Sequence, residues 1–237
     1  MTPMTFVDQK ISAWAGLAST ALLGVALLIA GFVPPPGPGL TAEEVAGLYQ
    51  DHASSIRIGM IVALFAIAGY TALIGAISVQ LHRIPGTSLL PSFLQLSAGS
   101  IGILTLLFPF MLFAVAAFRP QRDPQLLQLL NDIGWLVAVP AFPTFIVQWG
   151  AITSGVLQDR GPARVYPRWI AFFNVWVAVL TLTAPLAYFF HSGPFAWNGL
   201  FPFWLAGCVF FMWMAVMSWF TLSAIHQQER QLDARST

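Results

Sequence analysis

Charge is scarce in this chain and cysteine almost absent. Only 8% of its 237 residues are Asp, Glu, Lys or Arg, against roughly a quarter in water-soluble domains. A chain so poor in charge lacks the polar surface to face water on all sides. The single cysteine, Cys208, excludes a disulfide framework or a cysteine-based zinc site within one chain. No cluster of Lys and Arg exists to meet a phosphate backbone, so nucleic acid is excluded as a partner. The motifs of zinc peptidases, phosphate loops, serine hydrolases and dinucleotide-binding turns are absent too. No catalytic residue and no cofactor is expected.

What the chain does have is apolar length. Six runs, at about 11–33, 56–81, 94–118, 135–157, 168–190 and 200–225, are long enough to cross about 30 Å of hydrocarbon, which takes about 20 helical residues. Backbone groups in lipid must be satisfied internally, and the alternation of a membrane barrel is missing, so the expected fold class is an all-α bundle of six transmembrane helices in one domain, 1–237. The first run is too long for the apolar part of a signal peptide, about 7–15 residues, and reads as a retained helix. Lys10, Arg83, Arg160, Arg164, Arg168, Arg230 and Arg235 fall on one side, and Arg57, Arg119 and Arg122 on the other. Seven cations against three place both termini in the cytoplasm and the protein in the cytoplasmic membrane as a multi-pass protein.

Between the runs, the conspicuous stretch is 34–59, which holds Glu43, Glu44, Asp51, His52 and Arg57 behind a Pro-Pro-Pro-Gly-Pro-Gly entry. Thr41 and Glu44 have the spacing of a capping box, so a short amphipathic helix is expected on the outer surface before span 2. Asp123-Pro124, followed by four leucines, predicts a second such helix over 122–132, before span 4. Ser12, Gly16, Thr20 and Gly24 recur every four residues on span 1, and Ala68, Ala72 and Ala76 on span 2, as small-residue packing faces. The inner ends of spans 2, 4 and 6 resemble one another (SVQLHR, SGVLQDR, SAIHQQER), a pattern that either a repeated hairpin or the inward bias of positive charge would produce. Pro109, Pro140, Pro143, Pro185 and Pro202 each free a helical carbonyl. Kinks in spans 3, 4 and 5 are expected to open space in the middle of the bundle.

No charged residue lies in the central part of any span, where ion-coupled transporters and voltage sensors place theirs. The neutral polar groups at depth include Gln148 and Asn174, placed to bond to one another or to line a cavity. The four histidines lie near span ends, and His52 and His82, 30 residues apart, would stand about 45 Å apart on one helix, which argues against buried haem. At the outer rim, Asp51, His52, Arg57, His191, Trp197 and Asn198 are candidate ligand-binding residues together with Gln148 and Asn174. If spans 2 and 5 are neighbours, His52 and His191 with nearby acids could instead hold a metal. The leading expectation is a membrane protein that binds an apolar or amphipathic small molecule, or serves as an accessory subunit, in a neutral cavity under the 34–59 segment. Its partners would be the lipid bilayer, a lipophilic small molecule and a membrane partner subunit. The alternatives are a membrane enzyme with an outer-face metal and a purely structural subunit of a larger complex.

Overall fold

The computed structural model describes residues 6–140 and 143–236. Among these residues the chain is all-helical, without a strand. Six of its helical stretches are long and apolar enough to cross a membrane. In chain order they are α1 (Val7–Ile29), α2 (Ala42–His82), α3 and α4 (Leu90–Gly102 and Leu104–Phe118), α5 and α6 (Pro124–Ala138 and Pro143–Gln158), α7 (Trp169–Thr181) with a 3₁₀ turn over Ala184–Tyr188, and a wide π turn over Leu200–Leu205 leading into α8 (Ala206–Ser236). The expected span limits hold to within a few residues for the first and third runs. The second, fourth and sixth are extended by polar turns.

The first amphipathic segment forms a short helix divided from span 2 by a kink at His52, whereas the second is continuous with the start of span 4. The capping box at Thr41 is present, with Glu44 N–H donating to Thr41 Oγ1 and Thr41 N–H to Glu44 Oε2. The helix it opens then runs on into span 2, broken only at His52 (φ −117°, ψ 17°). Asp123 caps the second segment by accepting from Gln125 N–H at 2.9 Å, and that segment, unlike the first, becomes the first part of span 4 without a break. After Pro124 at its first turn, the second segment meets no proline before its apolar run begins, so its helix continues.

α2 is the central helix. It packs on α1, α3, α4, α5, α6 and α8, but not closely on α7. Close approach to α1 is made possible by glycine: a Cβ at Gly59 or Gly69 would fall 2.6 Å from the carbonyl oxygen of Ala26 or Ala15. On the span 1 stripe, Gly16 lies between Ser218 of α8 and Leu73 of α2, and Gly24 faces Phe211 of α8. On α2 the buried small residues are Gly59, Ala63, Ala66 and Ala76, whereas Ala68 is exposed, so the expected Ala68–Ala72–Ala76 face is displaced around the helix.

The prolines act where their chemistry requires. Pro185 lacks the N–H that would continue α7, and the α-helix ends at Thr181. Pro109 is accommodated inside α4, which follows α3 across Ile103 with that residue still helical (φ −55°, ψ −33°). Pro202 sits within the π turn, where the N–H groups of Phe203 and Trp204 both reach the Gly199 carbonyl. The core is aromatic: Tyr70, Phe145, Trp149, Phe210 and Trp213 lie in mutual contact at the centre. The middle of the bundle, where space was expected, is therefore filled, although a hollow of about 200 Å³ lies between α6 and α7 with Asn174 in its lining.

Candidate functional site

An opening also lies where α4 packs closely on neither α1 nor α8. A cavity of about 90 Å³ occupies that gap, walled by Leu23 and Leu27 of α1, Phe110 and Phe113 of α4, Trp135 and Val139 of span 4, and Pro202, Phe203, Gly207 and Phe210 of span 6, among others. A second hollow of about 290 Å³ shares Leu27, Phe203, Gly207 and Phe211 with it and continues past Gly24, Leu28 and Cys208. Phe110, Val139 and Pro202 lie at or next to prolines of three spans. Room is thus found beside these prolines, between spans 1, 3, 4 and 6 rather than in the middle of the bundle.

Each wall has a local cause. Gly207 has no neighbouring atom within 4 Å of where a Cβ would be, so the absence of its side chain contributes directly to the opening. Phe113 is held by Gly134, which leaves space for its ring. Phe32 closes the end nearest the 34–59 segment, with ring centroids 5.0 Å from Phe113 and 5.3 Å from Trp135. Every wall residue is uncharged, so an occupant would meet a neutral, mostly hydrocarbon surface. Trp135 adds one polar atom at the border, an indole N–H that is buried with no hydrogen-bond partner among the described residues. Such a pocket has no means of compensating a charge in its interior.

The 34–59 segment is clasped over this end of the bundle. Trp197 Nε1–H donates to the Pro36 carbonyl at 2.8 Å, Gln128 Nε2–H to the Leu40 carbonyl at 3.0 Å, and Tyr49 O–H to Asn131 Oδ1 at 3.3 Å. Asn198 lies against Gly37, whose missing Cβ would fall 2.8 Å from Asn198 Nδ2. Trp197 and Asn198 therefore do meet the segment, but at its proline-rich entry and as structural contacts.

The other rim candidates are not brought together. Asp51, His52 and Arg57 are exposed, and Arg57 folds back onto its own helix, donating to the Ala53 carbonyl and to Ser54 Oγ. No hydrogen bond or ion pair joins Asp51, His52 or Arg57 to His191, Trp197 or Asn198 among the described residues. His191 is exposed and interacts electrostatically with Asp132 instead. Spans 2 and 5 are not close neighbours, which removes the premise of a His52–His191 pair. Among the described residues no three His, Cys, Asp or Glu side chains gather as a metal-binding set.

Gln148 and Asn174 are both fully buried but do not bond to one another. Gln148 Oε1 accepts from Tyr70 O–H at 3.2 Å, and its Nε2 presses on Gly99 without a hydrogen-bond partner. Asn174 Oδ1 accepts from Trp213 Nε1–H at 2.9 Å and its Nδ2 donates to the Ile170 carbonyl at 2.8 Å. Aromatic N–H and O–H groups on other spans thus satisfy each amide oxygen.

The opposite end of the bundle carries a polar layer that sequence reading described only as similar helix ends. Gln80 Nε2–H donates to Gln9 and Gln228, Lys10 pairs with Glu229 at 2.7 Å, and Tyr166 O–H lies 3.0 Å from Thr221 Oγ1. Asp159 accepts from the N–H groups of Gly161 and Val165 and so ties the loop between α6 and α7. Burial lowers the pKa of Arg83, while Tyr166 and Asp159 oppose that shift. Burial also raises the Tyr166 phenol above its ordinary value. The cavity walls were missed in the sequence because nothing distinguishes Phe110 or Gly207 from any other apolar residue of a span. No family model, curated protein or solved structure matches the chain.

Proposed function

We propose that this is a multi-pass protein of the cytoplasmic membrane that holds a lipophilic small molecule in the neutral cavity between spans 1, 3, 4 and 6. The observation that carries the reading is the wholly uncharged wall, continuous with a hollow that has Gly24, Gly207 and Cys208 in its lining. Apolar pockets with few polar groups suit ligands that already reside in the bilayer. The seven-to-three cation asymmetry supports cytoplasmic termini, with the clasped 34–59 segment and the first turns of α5 facing outward.

Gly207→Leu tests the reading, since it fills the cavity from a position with no atom in the way. Organic extracts of the purified wild type are expected to contain a lipophilic molecule at a fixed ratio to protein, and extracts of the variant to lack it. Equal recovery from both proteins would overturn the assignment of the cavity. Absence of any such molecule from the folded wild type would favour a purely structural subunit. Orientation has its own test in a Cys208→Ala background. Gly39→Cys, at an exposed position with no atom within 4 Å, is expected to react with a membrane-impermeant maleimide in intact cells. Reaction only after permeabilisation would invert the topology.

A further inference from the structure

At the end of the bundle that carries the termini, the outer flanks of α1 and α8 leave a groove of about 300 Å³. Trp14, Trp219, Leu222, Ser223, His226 and Arg230 form its walls. Its composition is graded along α8. Trp219 and Leu222 come first, and His226 and Arg230 follow two and three turns later. Trp14 and Trp219 are 55% and 58% exposed, so their rings are free to contact a molecule lying in the groove. His226 and Arg230 are exposed as well, and neither side chain takes a hydrogen bond or ion pair among the described residues. No carboxylate lines the groove. Glu229, adjacent in sequence, is engaged by Lys10.

We infer that this groove binds an anionic phospholipid of the surrounding bilayer, independently of any occupant of the neutral cavity. Tryptophan indoles favour the headgroup level of a membrane, with the ring in the apolar boundary and the N–H toward water. His226 and Arg230, unengaged donors two and three turns beyond Trp219, meet the level of the phosphates, and the arginine cation there attracts acidic lipids. The charge complementarity selects a negative headgroup. The indoles and Leu222 select a lipid over a free anion, because they give inorganic phosphate nothing to contact but offer an acyl chain a continuous apolar track.

Native mass spectrometry of the delipidated, detergent-purified protein tests this. The protein is titrated with phosphatidylglycerol, with phosphatidylcholine of the same chains, and with inorganic phosphate as competitor. The wild type is expected to prefer phosphatidylglycerol by at least about fivefold. The double variant His226→Gln/Arg230→Gln should lose that preference, and Arg230→Lys should keep most of it. Arg119→Gln, at an exposed arginine of the opposite end, should leave it unchanged. Retained preference in the double variant, equal loss in Arg119→Gln, or full displacement by inorganic phosphate would each overturn the proposal. Size-exclusion profiles of the variants separate lost binding from lost folding, and Trp219→Ala, expected to weaken both lipids alike, supplies a second route to refutation if it weakens neither.

Discussion

The hydroxyl of Tyr188 donates to the carbonyl of Leu136 at 2.8 Å. That carbonyl would ordinarily accept from the N–H four residues on, but residue 140 is proline. A side chain from the 3₁₀ turn that ends span 5 therefore supplies the donor that span 4 lacks. Within a bilayer this is how a broken helix is tolerated.

Tyr188→Phe removes that donor and nothing else. The expected cost is about 1 kcal/mol, read as a lower unfolding midpoint in detergent micelles. Tyr188→Leu should cost no less. An unchanged midpoint would mean that water already serves the Leu136 carbonyl.

Glycine positions should divide sharply. At Gly69 a Cβ would meet the Ala15 carbonyl oxygen at 2.6 Å, a backbone atom that cannot turn aside, whereas Gly75 has nothing within 4 Å. Gly69→Val is expected to destabilise by roughly 1–3 kcal/mol and to reduce the monodisperse fraction on size exclusion. Gly75→Val should resemble the wild type.

The Tyr70–Gln148 pair lends itself to a double-mutant cycle. Tyr70→Phe leaves the Gln148 amide buried with neither its oxygen nor its nitrogen bonded, at a cost of about 1–3 kcal/mol. Gln148→Met removes the amide, including its unpartnered Nε2, and should cost less. The double variant should be no worse than Gln148→Met alone, which gives a coupling between the sites. Additive losses would indicate that the hydrogen bond at 3.2 Å is not formed in solution.

Alkaline pH should weaken the fold partly through Tyr166. Its pKa is raised by burial, a shift that the hydrogen bond to Thr221 and the charge of Arg83 only partly offset. Below the ordinary tyrosine value of about 10, folded and unfolded chains both hold the proton, and the contribution is fully present. As pH rises above that value the unfolded chain releases the proton while the folded one keeps it, so stability declines until the folded phenol also ionises. Tyr166→Phe is expected to lower stability at neutral pH and to flatten this decline. Parallel pH profiles for wild type and variant would refute the assignment.

Much of the scaffold is legible in the residues themselves. The apolar runs, the Thr41–Glu44 cap and the Asp123-Pro124 start all depend on neighbours within a few positions, and a one-dimensional reading finds such signals. The rim was legible only in part. Trp197 and Asn198 do reach the 34–59 segment, yet through Pro36 and Gly37 rather than through His52 or Arg57. Which face of α2 looks at which neighbour depends on the packing order of six helices, and spacing alone does not encode that order. Gln148 and Asn174 illustrate the same limit. Both were recognisable as buried amides, but Tyr70 and Trp213, not each other, are their partners. The cavity was least legible of all, because it arises where two helices fail to touch.

The clasp between Trp197 and Pro36 joins residues 161 positions apart. During synthesis at roughly 5–20 residues per second, the partner of Pro36 is made roughly 8–30 seconds after it. For that interval the segment has the hydrogen bonds of Gln128 to Leu40 and of Tyr49 to Asn131 without the one at Pro36, and before span 4 exists it lacks those too. The lid over the bundle is therefore finished by its last loop. A chain stalled or truncated before residue 197 would display an unfastened first connection, which is a concrete feature by which a quality-control protease could distinguish an incomplete molecule from a finished one.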